Sequence, residues 1–134
     1  MNHQVSLLHF KPLILCALLF SSCSNRSDSN PQLELIDVRY ESVETSRCIG
    51  EVKNISSAPL NNLKVEVEFL MANGERVRGN TVDLTQKELQ PNTGSNFSAP
   101  YLKGSNDPQV VGCKVVRFKT DGDGTILHIN RSVK

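Results

Sequence analysis

A strict alternation of apolar and charged residues is the feature of this chain that most restricts its fold. It is clearest over seven consecutive residues: Leu63, Lys64, Val65, Glu66, Val67, Glu68 and Phe69. Successive side chains of a strand point to opposite faces of a sheet, whereas a helix would spread these three charges around its circumference. The valines also favour an extended backbone. The segment therefore predicts a strand with one buried face and one face in water.

Other segments show the same period. They lie at residues 33–40, 46–54, 76–84, 96–101, 109–119 and 125–130. We expect the segment at 76–84 to be interrupted at Gly79 and Asn80. Residues on one face are expected to be Ile36, Val38 and Tyr40 in the first segment, Cys48, Gly50 and Val52 in the second, and Val111, Cys113 and Val115 in the fifth. The fourth segment centres on Phe97, and the last contains Ile126 to Ile129.

Turn-forming residues separate these segments at regular intervals. They cluster at residues 56–62, 73–74, 91–94 and 121–124, and the Asn73–Gly74 pair suits a tight turn with positive φ. About seven short strands without a long helix are typical of an antiparallel β-sandwich. We expect one such domain over residues 32–134.

The charge balance restricts the partners. The chain has 15 basic and 14 acidic residues, and Lys11 is the only charged residue before residue 23, which leaves no net charge from there onward. A protein that binds nucleic acid by neutralising phosphates needs a basic surface. We therefore expect no nucleic-acid partner.

Residues 1–22 have the pattern of an export signal. A weakly basic start without acidic residues is followed by an apolar run at residues 12–20, which Cys16 alone interrupts. That run is too short to cross a bilayer as a helix, for which about 20 residues are needed. The alternative is a buried amphipathic helix of the domain, but Pro12 and the abrupt polar stretch from Ser21 argue against it.

The end of this run, LFSSC at residues 19–23, resembles the lipobox of bacterial lipoproteins, with Phe20 where an aliphatic residue is more common. The resemblance implies cleavage before Cys23 and acylation of that residue, including a palmitate-type chain. It also implies a lipid-anchored protein of the bacterial cell envelope, and Ser24 is compatible with the outer membrane, facing the periplasm. The alternative is an ordinary secretory signal that is cut near Ser22 and leaves Cys23 unmodified. Residues 23–31 are polar and predict a flexible tether.

Two further cysteines, Cys48 and Cys113, remain in the domain, each on the expected inward face of its strand. In an oxidising compartment they are expected to form a disulfide. Closing 65 residues of chain would stabilise the fold by about 4 kcal/mol in the chain-entropy model. Two buried free thiols are the alternative. A zinc site is disfavoured because neither cysteine has a second ligand at metal-binding spacing.

Two segments together resemble the FxLYD-type immunoglobulin-like domain. The segment GEVKNISSAPLNNLKVEV at residues 50–67 matches its strand, polar turn and alternating strand, and LQPNTGSNF at residues 89–97 matches its later turn and strand. The chain departs from the family at residues 70–73, where LMAN replaces the aromatic–aspartate pair. The resemblance covers about residues 36–116 and implies a small extracytoplasmic immunoglobulin-like sandwich without catalytic residues.

No residue pattern predicts catalysis, a metal or a cofactor. His128 is the only histidine after residue 22, and it is expected to be a solvated or cross-strand residue. Glu66 and Glu68 are expected on a solvated face, and the Asp121–Gly124 segment lacks the glutamate that a calcium loop needs at residue 132. The Asn-x-Ser triplets are interpreted as incidental; they begin at Asn25, Asn54, Asn96 and Asn130.

These patterns together predict a non-catalytic binding or scaffolding module that is anchored through Cys23. Its expected partners are the membrane and an envelope protein or polymer, contacted by a sheet face or by strand addition at a sheet edge. The alternative is a small-ligand carrier or sensor that uses the loops at one end of the sandwich. An enzyme is the least supported class.

Overall fold

The computed structural model describes residues 30–122 and 124–131, and this part of the chain is all-β. The expected signal peptide, Cys23 and the tether up to residue 29 lie outside it. The strands are β1 (Leu33–Glu41), β2 (Arg47–Asn54), β3 (Leu60–Asn61), β4 (Lys64–Leu70), β5 (Arg76–Asp83), β6 (Glu88–Leu89), β7 (Gly94–Pro100), β8 (Gly112–Lys119), β9 (Thr125–Ile126) and β10 (His128–Asn130). Among the described residues, no helix has the length and apolarity required to traverse a bilayer.

Two four-stranded sheets form a β-sandwich, as predicted. The first has the order β10-β1-β2-β7 and the second β5-β4-β8-β9, while β3 and β6 form a separate two-stranded ribbon. The expected count of about seven strands is not confirmed, because ten are present in the described residues and four of these have only two or three residues. Strand β10 runs parallel to β1, unlike the other pairs.

The core lies between the two sheets. On β4 the predicted alternation is confirmed: Val65, Val67 and Phe69 are fully buried. Cys48, Gly50 and Val52 on β2 face inward, also as predicted, and Phe97 on β7 does so too. The remaining members of the core are Leu33, Leu35, Leu63, Leu84, Leu89, Ala99, Val110 and Phe118. Buried aliphatic and phenylalanine side chains supply the hydrophobic stabilisation of the domain.

The register between neighbouring strands shifts at three places in the described residues, on β1, on β8 and on β5, where Val77 is skipped in the pairing with β4. On β1 the register with β2 skips Ile36, so the buried face changes from Leu33 and Leu35 to Val38 and Tyr40. The prediction was right for Val38 and Tyr40 and wrong for Ile36, which is the extra residue of the bulge. A second bulge on β8 skips Val116 in the register with β4.

Three expected strand boundaries are corrected. Strand β8 begins at Gly112, so Val110 takes the buried position and Val111 is 50% exposed rather than inward. Strand β5 is continuous through Gly79 and Asn80 because both residues pair with β4. The last segment divides at Leu127: β9 pairs with β8, and the chain then crosses to the other sheet as β10.

The sandwich has two distinct ends. The entry end is where β1 begins, beside the end of β2 and the start of β7. The loop end is where β1 finishes, beside Arg47 of β2 and Pro100 of β7. In the second sheet the pairs of Leu70 with Arg76 and Gly112 lie toward the loop end.

Candidate functional site

A cleft of about 580 Å³ opens at the loop end of the sandwich. Three segments form it: the connection between β1 and β2, the end of β7, and the loop at residues 101–111 that leads into β8. Its lining combines aromatic, hydroxyl, amide and charged side chains with one buried valine. The residues are Tyr40, Ser42, Thr45, Ser46, Pro100, Tyr101, Lys103, Asp107, Pro108, Gln109 and Val110.

The connection between β1 and β2 has a strained backbone at its tip. Glu44 has a φ of 63°, and the Thr45 amide donates a hydrogen bond to the Val43 carbonyl at 2.8 Å. A positive φ is uncommon for a residue other than glycine, and this hydrogen bond closes a three-residue γ-turn. The turn leaves the Val43 side chain 81% exposed beside the cleft.

The opposite wall is organised around the carboxylate of Asp107. Arg78 donates to both of its oxygens, from Nε and Nη2, each at 2.9 Å. The Tyr101 hydroxyl and the Gly104 amide also donate to it, each at 2.7 Å. The Arg78 hydrogen bonds, followed by those of Gly104 and Tyr101, hold the pKa of Asp107 far below its ordinary value. The network therefore ties the 101–111 loop to β5.

Aromatic contacts support the floor of the cleft. Tyr40 packs edge to face on Phe69, with centroids 6.3 Å apart, and Tyr101 lies tilted on the same ring at 5.0 Å. Phe69 is fully buried, so both tyrosine rings are fixed against the core. Burial, and then the hydrogen bond to Asp107, raise the pKa of Tyr101.

The predicted disulfide lies at the same end. Cys48 and Cys113 are bonded, with their Cα atoms 5.9 Å apart. They join β2 in one sheet to β8 in the other, and Tyr40 pairs with Cys48 while Phe69 pairs with Cys113. The disulfide therefore fixes β2 and β8. Their neighbouring strands, β1 and β4, carry Tyr40 and Phe69 of the aromatic floor.

The structure places the other candidate residues elsewhere. His128 lies at the entry end, where it packs edge to face on Phe118 at 5.1 Å, and burial lowers its pKa. Glu66 accepts a hydrogen bond from Arg117 at 2.7 Å, and Glu68 forms an ion pair with Lys114 at 3.3 Å. Both glutamates therefore belong to ion pairs on the outer face of their sheet.

The segment after β8 forms a turn. The Thr120 amide donates to the Gly124 carbonyl at 2.9 Å, which closes the predicted turn between β8 and β9. Within residues 30–122 and 124–131, no group of three or more histidine, cysteine, aspartate or glutamate side chains is arranged to hold a metal ion.

The triplet asparagines differ in environment. Asn54 is fully buried and belongs to the core, whereas Asn96 and Asn130 are exposed; Asn25 lies outside the described residues.

Sequence reasoning missed the residues that organise the cleft. The sequence pattern predicts Tyr101 only as the end of a strand and indicates no role for Asp107. The signal that could have pointed to them is the polar stretch KGSNDP at residues 103–108 between two strands, since loops held on a rigid scaffold often carry binding residues.

Comparisons with protein-family models, with curated proteins and with solved structures found no match for this chain. The assignment of a β-sandwich therefore rests on the strand pairing of this chain alone. The similarity to FxLYD-type domains and to the lipobox stays a prediction from the residues quoted above.

Proposed function

We propose that this protein is a lipid-anchored, non-catalytic binding module of the bacterial cell envelope, attached through Cys23 to the outer membrane and facing the periplasm. Its partner would be an envelope protein or polymer that contacts the loop end of an immunoglobulin-like sandwich. The observation that carries the proposal is the position of the cleft: it lies at the end of β1 opposite to the end where the chain enters the domain.

This polarity suits an anchored binding module. The nine residues of β1 separate the two ends by about 26 Å at 3.3 Å per residue. The chain from Cys23 to Gln32 can span at most about 30 Å. An anchor at Cys23 would therefore be joined to the domain at its entry end, with the cleft at the opposite end.

The chemistry around the cleft also favours binding. Val43 and Leu102 are 81% and 64% exposed on the two loops beside it, next to polar lining residues such as Ser42 and Lys103. Exposed apolar side chains with a polar rim are typical of interaction sites. The Asp107 carboxylate accepts hydrogen bonds from three neighbouring groups. It therefore supports the loop rather than offering a free base.

The disulfide supports the immunoglobulin-like part of the proposal. It joins β2 and β8, which are interior strands of opposite sheets. Immunoglobulin domains of antibodies carry their inter-sheet disulfide between two such strands.

The anchor is tested with a Cys23→Ser variant expressed in a Gram-negative host. Metabolic labelling with a palmitate analogue followed by fractionation should show that the native protein is acylated and membrane-bound. The variant should lose the label and leave the membrane fraction. A variant that stays in that fraction, or a native protein that takes no label, would contradict the proposed anchor.

The binding end is tested by placing a photo-crosslinking amino acid at Val43 or Leu102 in intact cells. The control position is Ile55, an exposed apolar residue at the entry end. Adducts with an envelope protein or glycan polymer are expected from the two loop-end positions and not from Ile55. Equal adducts from all three positions, or adducts from Ile55 alone, would refute binding through the loop end.

A small-ligand carrier is the second candidate, favoured by the volume of the cleft. Its 580 Å³ falls within the size range of small-molecule sites, about 300–1,000 Å³. A ligand at 100 times its Kd stabilises a protein by about 2.7 kcal/mol. A carrier should therefore show a higher Tm with envelope-derived small molecules in the absence of any partner, and filling the cleft with Gln109→Trp should remove that increase.

A further inference from the structure

Three exposed apolar side chains lie close together where the chain enters the domain. The Gln32 amide donates to the Leu127 carbonyl at 2.9 Å, and the Ile55 amide donates to the Gln32 carbonyl at 3.0 Å. Leu127 and Ile55 therefore lie on either side of Gln32, about 10 Å apart at the usual spacing of neighbouring strands. Ile129 lies two positions beyond Leu127, on β10. Leu127, Ile129 and Ile55 are 46%, 44% and 37% exposed, and we call them the entry patch.

The side chains of the entry patch share the outer face of the first sheet. Leu33 of β1 pairs with Asn54 of β2 and with His128 of β10, and all three of these side chains face the core. Side chains along a strand alternate between the two faces of a sheet. The entry patch consists of the residues next to Asn54 and His128 in the chain, so its side chains point outward.

Ion pairs occupy the neighbouring parts of the outer surface. Farther along the same face, Arg39 forms ion pairs with Asp37 and Glu41. On the second sheet at the entry end, Lys64 pairs with Asp83 at 2.8 Å. The other exposed large apolar side chains of the described residues lie in loop-end segments or at the β8 bulge: Val43, Leu102, Val111 and Val116. The entry patch is therefore the apolar surface of the entry end.

The predicted tether joins the domain at this patch. Nine residues, from Cys23 to Pro31, precede Gln32, and a flexible chain of this length has an r.m.s. extension of about 17 Å. An acylated Cys23 would hold the entry patch within that distance of the bilayer, whereas the loop end would reach the bilayer only if the domain inverted. A tether makes the second contact intramolecular, so even a weak apolar contact becomes populated.

The charged side chains beside the patch suit a phospholipid surface. Glu34 pairs in register with Ile129 on one side and with Lys53 on the other. Its carboxylate accepts a hydrogen bond from Arg131 at 3.1 Å. Two cations therefore surround one anion, and basic side chains at a membrane surface are attracted to lipid phosphates.

We propose that the entry patch inserts into the phospholipid surface of the bilayer that holds the acyl chains of Cys23. The contact would fix the domain with its loop end directed away from the membrane. Apolar side chains gain free energy by burial at the boundary between headgroups and acyl chains. The inference rests on the proposed lipid anchor and adds the orientation that the anchored domain adopts.

A second copy of this chain is a poorer occupant. A standard protein interface buries about 800 Å² on each partner. Three side chains that are each less than half exposed do not supply that area, and the ion pairs of Arg39 with Asp37 and Glu41 lie beyond them on the same face. A bilayer needs no complementary surface, so a small patch beside the anchor is sufficient for contact.

Tryptophan fluorescence tests the contact without background, because the chain contains no tryptophan. The variants are Leu127→Trp and Ile129→Trp, and the control is Val111→Trp, which replaces an apolar residue of similar exposure near the loop end. The chain from Cys23 onward is coupled through the Cys23 thiol to a maleimide-bearing lipid in vesicles of phosphatidylethanolamine and phosphatidylglycerol. Emission of the two entry-patch variants should shift to the blue and should be quenched by acyl-brominated phosphatidylcholine, whereas Val111→Trp should show neither effect.

A charge within the patch supplies a second measurement. In the Leu127→Trp chain, Ile55→Glu should remove at least half of the quenching, because an ionised carboxylate resists transfer out of water. Val111→Glu in the same chain should leave the quenching unchanged. Circular dichroism of each variant verifies that the β-sandwich is folded.

Three outcomes would overturn the proposal. They are a lack of quenching in the entry-patch variants, equal quenching of Val111→Trp, and a blue shift without quenching, which would assign the patch to a protein contact such as a second copy. Chemical coupling replaces acylation in this experiment. Its failure would therefore leave the labelling and fractionation test of the Cys23 anchor unaffected, and failure of that test would be seen separately in cells.

Discussion

The ring of Phe97 on β7 lies directly against the backbone of Gly50 on β2, its register partner. A Cβ atom at Gly50 would overlap Cζ of Phe97 and would lie 2.5 Å from the carbonyl oxygen of Asp37. Phe97 in turn packs edge to face on Phe118 of the other sheet, with centroids 6.4 Å apart. The absence of a side chain at Gly50 therefore allows a ring contact that joins the two sheets.

Gly50→Ala should destabilise the domain by about 2 kcal/mol, within the usual cost of overpacking a core. The matched control is Gly112→Ala on β8, where an added Cβ meets no atom within 4 Å. Urea unfolding of both variants measures the difference in the free energy of unfolding. Equal stability of the two variants would show that the contact of Phe97 with Gly50 does not restrict this position.

The buried side chain of Asn54 holds two connections of the entry end together. Its Nδ2 donates to the carbonyls of Ala58 and Leu89, at 2.9 and 2.8 Å. Its Oδ1 accepts from the amide and the hydroxyl of Ser56, at 2.9 and 2.7 Å. All hydrogen-bonding positions of a fully buried amide are thus used, which accounts for a polar side chain in the core.

Asn54→Ala should destabilise the domain by about 3 kcal/mol, because it leaves buried carbonyl and amide groups without their partner. Asn96→Ala is the control, since Asn96 is an exposed asparagine on β7 that also begins an Asn-x-Ser triplet. Thermal unfolding should show a clearly lower Tm for the first variant and little change for the second. A similar Tm for both would contradict the structural role of Asn54.

Local patterns predict the strands well where no bulge intervenes. The alternation on β4 identifies each buried residue, because an unbroken strand keeps one face inward along its whole length. On β1 the bulge at Ile36 reverses the faces, so the inward-facing residues have odd numbers before the bulge and even numbers after it. A bulge depends on what the neighbouring strand does, and the local sequence does not contain that information.

The disulfide was predictable for a different reason. Both cysteines lie on inward faces, and the pattern of residues 1–22 predicts export to a compartment in which disulfides form, so redox chemistry and strand periodicity indicate the same pair. The cleft was not predictable, because Arg78 and Asp107 are 29 residues apart and meet only through the packing of β5 against the 101–111 loop. Hydrogen bonds between such distant segments produce no periodic pattern in the amino-acid sequence.

Asp107→Asn should reduce stability in a pH-dependent manner. The pKa of Asp107 in the folded protein is held below the ordinary carboxyl value of 3.8, chiefly by Arg78, so its ionised form favours folding. This contribution is complete above about pH 5 and declines as the pH falls through 3.8 toward the folded-state pKa. The difference in Tm between native protein and variant should therefore be largest near pH 7 and should shrink below pH 4.

A control for this effect is Asp121→Asn, which removes a charge from the exposed turn after β8. Thermal unfolding followed by circular dichroism from pH 2 to 7 compares the three proteins. A Tm difference for Asp107→Asn that stays constant over this range would mean that the ionised carboxylate contributes no stability. A matching pH dependence in Asp121→Asn would attribute the effect to net charge.

Reduction of the bond between Cys48 and Cys113 should destabilise the domain by about 4 kcal/mol, because the unfolded chain then regains the freedom of a loop of 65 residues. Denaturant unfolding with and without a reductant measures the difference. The double variant Cys48→Ala/Cys113→Ala separates this effect from other actions of the reductant, since its stability should already be low and should not change on reduction. A native protein whose unfolding midpoint is the same in both conditions would contradict the prediction.

The loss of stability on reduction should be largest at the loop end, because the bond anchors the strands beside the aromatic floor of Tyr40, Phe69 and Tyr101. Hydrogen exchange on the reduced protein should therefore accelerate in the 101–111 loop before it accelerates at the entry end.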